Sequence, residues 1–375
     1  MIRFMKLATL LVFLLFFSCN ANKSEISTEN IAGNDAAILK IPAENFADNN
    51  VKIFIPTQWI NNILIFYYNR SSNLFMFPDN LANEFADIIS SYNLIDEWVT
   101  QWVLLSDLDQ RPWYINPMIA NIDEEPDPEI VAIFGLPLQA YQVLLVFKKI
   151  ENNWYLLYYE PFNMFYERPE LHIANNYGQN KVFFIRKLHD RGSGLFRDAY
   201  YFYKLIEERV YPCLGLLNEV RVYGWGLILN QDINTDFKFN DSGSDELLVT
   251  YNYHFFLSLV DEDFPWKPSD LYDISFFRGK SSIKYIWNNI EKIYKPYYDN
   301  HGHDSLTEEK IRCFLSIGDD ELFIKAFDYE INKALENSTD EEKKILRWYI
   351  DSQNNTLQFP SALKFFTNNQ SSWDY

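Results

Sequence analysis

Phe147-Lys148-Lys149-Ile150-Glu151-Asn152-Asn153-Trp154-Tyr155 recurs 56 residues later as Tyr203-Lys204-Leu205-Ile206-Glu207-Glu208-Arg209-Val210-Tyr211. Ile119-Ala120-Asn121 returns in the same way, as Ile173-Ala174-Asn175, at an offset of 54. Two matches at nearly one spacing mark an internal repeat, and each copy divides into short β-branched and aromatic runs separated by polar turns. In the first copy, residues 111–168, the expected strands are Trp113 to Asn121, Glu129 to Phe134, Tyr141 to Lys149 and Trp154 to Glu160. In the second, residues 169–221, they are Leu171 to Asn175, Lys181 to Leu188, Ala199 to Ile206 and Val210 to Leu217. A looser third copy fills residues 222–300, with strands at Glu246 to Tyr253, Asp273 to Phe277 and Ser282 to Trp287. Asn152-Asn153 and Gly279-Lys280 suit tight hairpin turns. Four antiparallel strands in about 50 residues is the size of a propeller blade.

Outside the repeats the texture changes. Residues 41–110 form an N-terminal β/α segment: Lys52 to Pro56, Ile63 to Tyr68 and Leu74 to Phe77 read as strands. Leu81, Phe85, Ile88, Ile89, Tyr92, Ile95, Val99, Trp102 and Val103 then follow the 3–4 spacing of one amphipathic helix. Residues 301–375 are expected to be helical, with Ser305 and Glu308, and Thr339 and Glu342, at capping-box spacing and Asp319 as a further cap. The fold expected is mainly β with α: propeller-like four-stranded repeats, one N-terminal amphipathic helix and a C-terminal helical region.

Composition excludes two classes. The chain carries a net charge of −19, which repels phosphate backbones and argues against a nucleic-acid partner. Its 10 Trp, 25 Tyr and 31 Phe supply far more apolar surface than a disordered chain holds. No nucleophile elbow, phosphate loop or dinucleotide fingerprint is present, and 12 glycines leave little for glycine-rich cradles. Cys213 and Cys313 sit in apolar patterns and read as small buried hydrophobes, with a disulfide as the alternative.

Arg3 and Lys6 precede an apolar run from Leu7 to Phe17, which has the form of a secretory leader and is too short to span a bilayer. The run ends in Phe16-Phe17-Ser18-Cys19, which resembles a bacterial lipobox. That resemblance implies a signal peptide of residues 1–18 and lipidation of Cys19. It also implies palmitate on the new N-terminus, with residues 19–40 as a flexible tether to the membrane. Asn20 does not favour inner-membrane retention, and the outer membrane or cell surface is the expected address.

Asn121-Ile122-Asp123-Glu124-Glu125-Pro126-Asp127-Pro128-Glu129 places oxygen-bearing side chains at alternate positions, the donor set a hard cation such as calcium requires. Asp123, Glu125, Asp127 and Glu129 are one candidate set, and Asp232, Asn234 and Asp236 a second. A solvated turn uses the same residue types. The loop-then-strand pattern, with Gly135-Leu136-Pro137 after it, resembles the FG-GAP and VCBS-type repeats of integrin-alpha-like β-propellers. The resemblance covers Arg111 to Tyr298 and implies a blade fold and adhesion or ligand binding. Pro126 stands where the family has glycine, Lys238 replaces a ligand in the Asn240 to Glu246 loop, and the second unit's turn lacks carboxylates.

Trp154, Tyr158 and Tyr159 lie in the densest aromatic segment and are candidate ligand-binding residues, with core packing as the bland alternative. His301-Gly302-His303-Asp304 reads as a polar linker before a helix cap rather than a zinc site. The expectation is therefore a membrane-anchored, non-catalytic envelope module for a protein or glycan. A glycan hydrolase using carboxylate pairs and a purely structural protein are the alternatives.

Overall fold

The repeat folds as two successive antiparallel meanders, and a third follows them. A computed structural model describes residues 49–68, 75–76, 114–123, 125–135, 141–163, 170–174, 181–192, 194–223, 229–240, 245–258, 273–298, 306–316 and 319–354. All lie in the unit Ile38–Tyr375, the other unit being Met1–Ala37. The first meander is β3 (Tyr114–Ala120), β4 (Glu129–Gly135), β5 (Tyr141–Ile150) and β6 (Asn153–Asn163). The second is β7 (Leu171–Ile173), β8 (Val182–Gly192), β9 (Leu195–Ile206) and β10 (Arg209–Val222). The third is β11 (Leu229–Phe239), β12 (Glu246–Ser258), β13 (Asp273–Asn288) and β14 (Ile293–Tyr297). The recurring motif is the hairpin β5–β6 and its copy β9–β10. Ile150 pairs with Asn153 and Ile206 with Arg209, leaving two-residue turns. Glu151, Asn152 and Glu207 have φ of 47°, 67° and 57°, the left-handed backbone that such turns demand. The turn is thus Glu151-Asn152, one residue earlier than expected, and Asn153 already belongs to β6.

Two sheets result. β1 (Asn50–Ile55) adds to β6 and β2 (Phe75–Met76) to β3, giving the order β1-β6-β5-β4-β3-β2. The second sheet runs β14-β13-β12-β11-β10-β9-β8-β7. Among the described residues it closes into neither a barrel nor a propeller ring. Its two halves share only the pairs from Glu219–Asn234 to Val222–Gln231. Beyond them β10 pairs with β9 alone and β11 with β12 alone, so the halves splay apart. Phe184 of β8 lies 5.3 Å from Phe237 of β11, ring centre to ring centre, although two strands separate them in the sheet order. A flat sheet would hold them about 14 Å apart, so the sheet folds over on itself. Phe184, Tyr200, Phe202, Phe237 and Phe239 fill the fold.

The meanders therefore stack face to face. Every residue of β4 is buried, because both faces of the first meander are covered. Ile130, Ala132 and Phe134 point to α1 (Thr57–Tyr68), whose Trp59, Ile60 and Ile63 make one apolar face. Val131 and Ile133 pack with Phe183, Ile185, Tyr201 and Tyr203 of the second meander. Ile63 to Tyr68, read as a strand, is the end of that helix. Burial of Trp59, Ile60 and Ile63 on one side outweighs the strand preference of its aromatic and β-branched residues. The helix expected from Leu81 to Val103 lies outside the described residues.

Four helices follow β14: α2 (Glu308–Leu315), α3 (Asp320–Ala326), α4 (Asp328–Asn337) and α5 (Asp340–Asn354). Thr307, rather than Ser305, caps α2, and Asp319 caps α3. Thr339 and Glu342 make the expected reciprocal box, with bonds of 3.3 and 2.8 Å. Phe314, Phe323 and Phe327 press onto Tyr253 and Phe255 of β12 and Phe277 of β13. Cys213 and Cys313 are buried free thiols, each pushed up to about 12 by desolvation.

Gly279-Lys280 is not a turn, since β13 runs unbroken from Asp273 to Asn288. The glycine serves a contact instead. Its cross-strand partner is Tyr253, whose ring lies where a Gly279 Cβ would stand. Gly279→Ala is expected to cost about 1–3 kcal/mol in urea unfolding, the range for overpacking a filled site. The same change in a Tyr253→Ala background should cost far less. Equal costs in both backgrounds would show that the ring is not what excludes a side chain.

Candidate functional site

The acidic loop of the first meander closes on an ammonium of the chain itself. Asp123 and Glu129 are 3 % and 1 % exposed, whereas Glu125 and Asp127 are exposed. Lys148 of β5, itself buried, donates to Asp123 and lies 3.0 Å from Glu125. The Asp123 carboxylate also accepts the Glu125 N–H at 2.8 Å, and Glu129 accepts the Ile122 N–H at 2.9 Å. Burial opposes the charge on Lys148, but its bonds to Asp123 and Glu125 keep its pKa above the ordinary lysine value. Burial raises Glu129 to about 7, opposed by the Ile122 N–H and reinforced by the Asp123 charge. The loop's central positive charge is thus a lysine. Among the described residues no three His, Cys, Asp or Glu side chains form a metal-holding group.

The second candidate set is not a loop. Asp232, Asn234 and Asp236 occupy alternate positions inside β11, paired on both sides over part of its length. Along an extended strand such residues stand about 7 Å apart in a line, so they cannot converge on one cation. The Asn240 to Glu246 turn is described only at its ends, where Asn240 bonds Glu246.

The aromatic strand is core. Tyr158 and Tyr159 are 1 % and 4 % exposed and Trp154 packs against the α1-facing cluster, so neither tyrosine offers a ring to a ligand. Tyr158 lines a buried ion pair between the first two meanders, on the face of β6 opposite to Tyr159. Lys187 of β8 donates to Glu160 of β6, and at 2.8 Å to the Tyr203 hydroxyl. The Tyr158 and Tyr203 hydroxyls donate to the other Glu160 oxygen at 2.7 and 2.8 Å. The ammonium also lies 4.6 Å from the Tyr201 ring centre and 5.0 Å from that of Phe162. Burial lowers the Lys187 pKa, opposed by the Glu160 charge.

A third buried lysine, Lys204, lies 4.0 Å from the Trp287 ring centre and 3.6 Å from Asp245. It is the repeat equivalent of Lys148, and both are 2 % exposed. Their recurrence at one place of the repeat, after an aromatic residue, was the available sign of a buried cation.

Among the described residues, nothing packs on the side of the third meander turned away from the helices. β11 contributes Asp232, Asn234, Asp236 and Lys238; β12 contributes Leu248, Thr250, Asn252 and His254; β13 contributes Arg278, Lys280, Ser282 and Lys284. Cross-strand bonds knit it: Asn252 to Asp236 at 3.3 Å, Thr250 with Ser282 at 2.7 Å, and His254 with Ser275 at 3.1 Å. Leu248 is 49 % and Tyr297 58 % exposed at one end, with Lys284 opposite both. Polar and apolar groups presented together on a rigid sheet suit recognition of a macromolecular surface. No known family's sequence profile matches the chain, and no curated protein or solved structure is significantly similar to it.

Proposed function

We propose that this chain is a lipid-anchored envelope lipoprotein whose stacked β-meanders act as a non-catalytic binding module for a protein or glycan. The outer face of the third meander carries this reading, because among the described residues it leaves a wide sheet surface with apolar and charged groups exposed. The buried carboxylates favour binding over hydrolysis: Asp123 and Glu160 are each engaged by a lysine within the core, away from that face. The four-stranded, face-to-face units support a blade-like arrangement akin to degenerate FG-GAP or VCBS repeats. In this arrangement the stack stays open and ends in a polar face, as terminal repeats do. The leader and the Cys19 motif support anchoring through acyl chains, with the outer membrane or cell surface as the address.

Two measurements test this. Metabolic labelling with palmitate should mark the chain and be lost in Cys19→Ala. A photo-crosslinking residue at Asn234, on the outer face, should yield a discrete adduct in intact cells, whereas one at Glu336 on α4 should not. Matching patterns from the two positions would overturn the assignment of the face.

A further inference from the structure

We propose that the edge of β13 between Arg278 and Ser282 accepts an extended, acidic segment of a partner protein as an added antiparallel strand. The proposal deepens the binding-module reading and rests on it. β13 pairs with β12 from Asp273 to Ile286, but with β14 only from Lys284 to Asn288. Among the described residues, no strand pairs with the far edge of β13 between Asp273 and Ile283.

The register shows which backbone groups that edge offers. Pro296 stands opposite Tyr285 and has no N–H to exchange, so the exchanging pairs with β14 are those of Lys284 and Ile286. Odd-numbered residues turn the other way, and the Trp287 N–H accordingly reaches the Asp245 carbonyl at 2.8 Å. The alternation carries the N–H and C=O groups of Ser282, Lys280 and Arg278 to the open edge. The same residues place their side chains on the outer face, where Arg278 and Lys280 are exposed. Neither has an acidic partner among the described residues, whereas Lys284 lies 3.5 Å from Glu246.

A strand added there would set every second side chain directly beside Arg278 and Lys280, where carboxylates are favoured and bases are not. A second copy of this chain is disfavoured for that reason, because antiparallel self-pairing of the edge would oppose these two bases to each other. Charged side chains commonly guard open edges against self-association. Here the charge that repels a copy selects an acidic strand, with main-chain bonds supplying affinity and alternate side chains supplying specificity.

The test uses the full chain carrying Cys19→Ala and a fluorescent eight-residue peptide of alternating Asp and Val, followed by anisotropy. Saturable binding that weakens as salt rises is expected. The double variant Arg278→Glu/Lys280→Glu, shown to be folded by circular dichroism, should lose affinity at least tenfold. It should also prefer a peptide with Lys in place of Asp. Methylating alternate peptide nitrogens, those that would face the edge, should abolish binding. Unchanged affinity after charge reversal, or equal binding of the methylated peptide, would overturn strand addition. If the Asp-Val peptide fails to bind while the Asn234 adduct forms, the edge proposal falls and the binding-module reading stands. Failure of both overturns the two together.

Discussion

Replacing Lys187 by Met should destabilise the folded chain by about 3–5 kcal/mol, the cost of leaving a buried charge without its partner. The group left behind is Glu160, enclosed between the first and second meanders and held otherwise, among the described residues, by the Tyr158 and Tyr203 hydroxyls. Two hydroxyl donors stabilise a carboxylate but do not neutralise it in a low-dielectric site. The double variant Lys187→Met/Glu160→Gln removes both charges while keeping an acceptor for the tyrosines. It should recover most of the loss, since replacing a whole buried pair is often neutral. Urea unfolding of the two singles and the double gives the coupling directly. A cost below about 1 kcal/mol for Lys187→Met would show that the cation does not compensate Glu160.

Glu129→Gln should act in the opposite direction and depend on pH. The Glu129 carboxyl titrates at about 7 in the folded chain against 4.5 ordinarily, with burial as the leading cause. Its contribution is fully present below the unfolded value, because the folded form then holds a proton that burial does not penalise. As pH rises through about 7 the folded carboxyl must ionise in place, and that stability is lost. That difference in pKa corresponds to roughly 3 kcal/mol above pH 7. Gln keeps an oxygen for the Ile122 N–H and never ionises. The variant should therefore be more stable than the parent at pH 8 and nearly equal to it at pH 4.5. Parallel curves for the two chains across that range would show that Glu129 is not the titrating group. Asp198 and Asp320, also raised by burial, are common to both chains and cancel in the comparison.

The loop from Asn121 to Glu129 has the oxygen spacing of a cation cradle, and the positive charge beside Asp123 is an ammonium of the chain itself. It is Lys148, 25 residues away in the chain and brought alongside by the pairing of β4 with β5. Spacing within a loop shows how many oxygens are available, but not which positive charge the neighbouring strand delivers. Tyr158 and Tyr159 were ambiguous for a related reason. Alternation along β6 separates two faces, yet both are covered, one by α1 and the other by the second meander. A strand buried on both sides carries no polar face to mark its interior.

Asp232, Asn234 and Asp236 mark the reverse limit. Their residue types favour turns, and only pairing with β10 and β12 draws them into a strand. Gly279 likewise looked like punctuation until the Tyr253 ring occupied the space beside it.

The sequence by itself determined a mainly β body with tight hairpins, because strand alternation and a turn that needs left-handed backbone are local properties. It also marked the helical C-terminus, since the Asp319 and Thr339 caps involve residues three apart. Tertiary structure alone decided which faces are buried, which lysine neutralises which acid, and which residues of the third meander are exposed. Those outcomes depend on contacts between segments distant in the chain. Charge burial and shape complementarity act there only once the sheets have stacked.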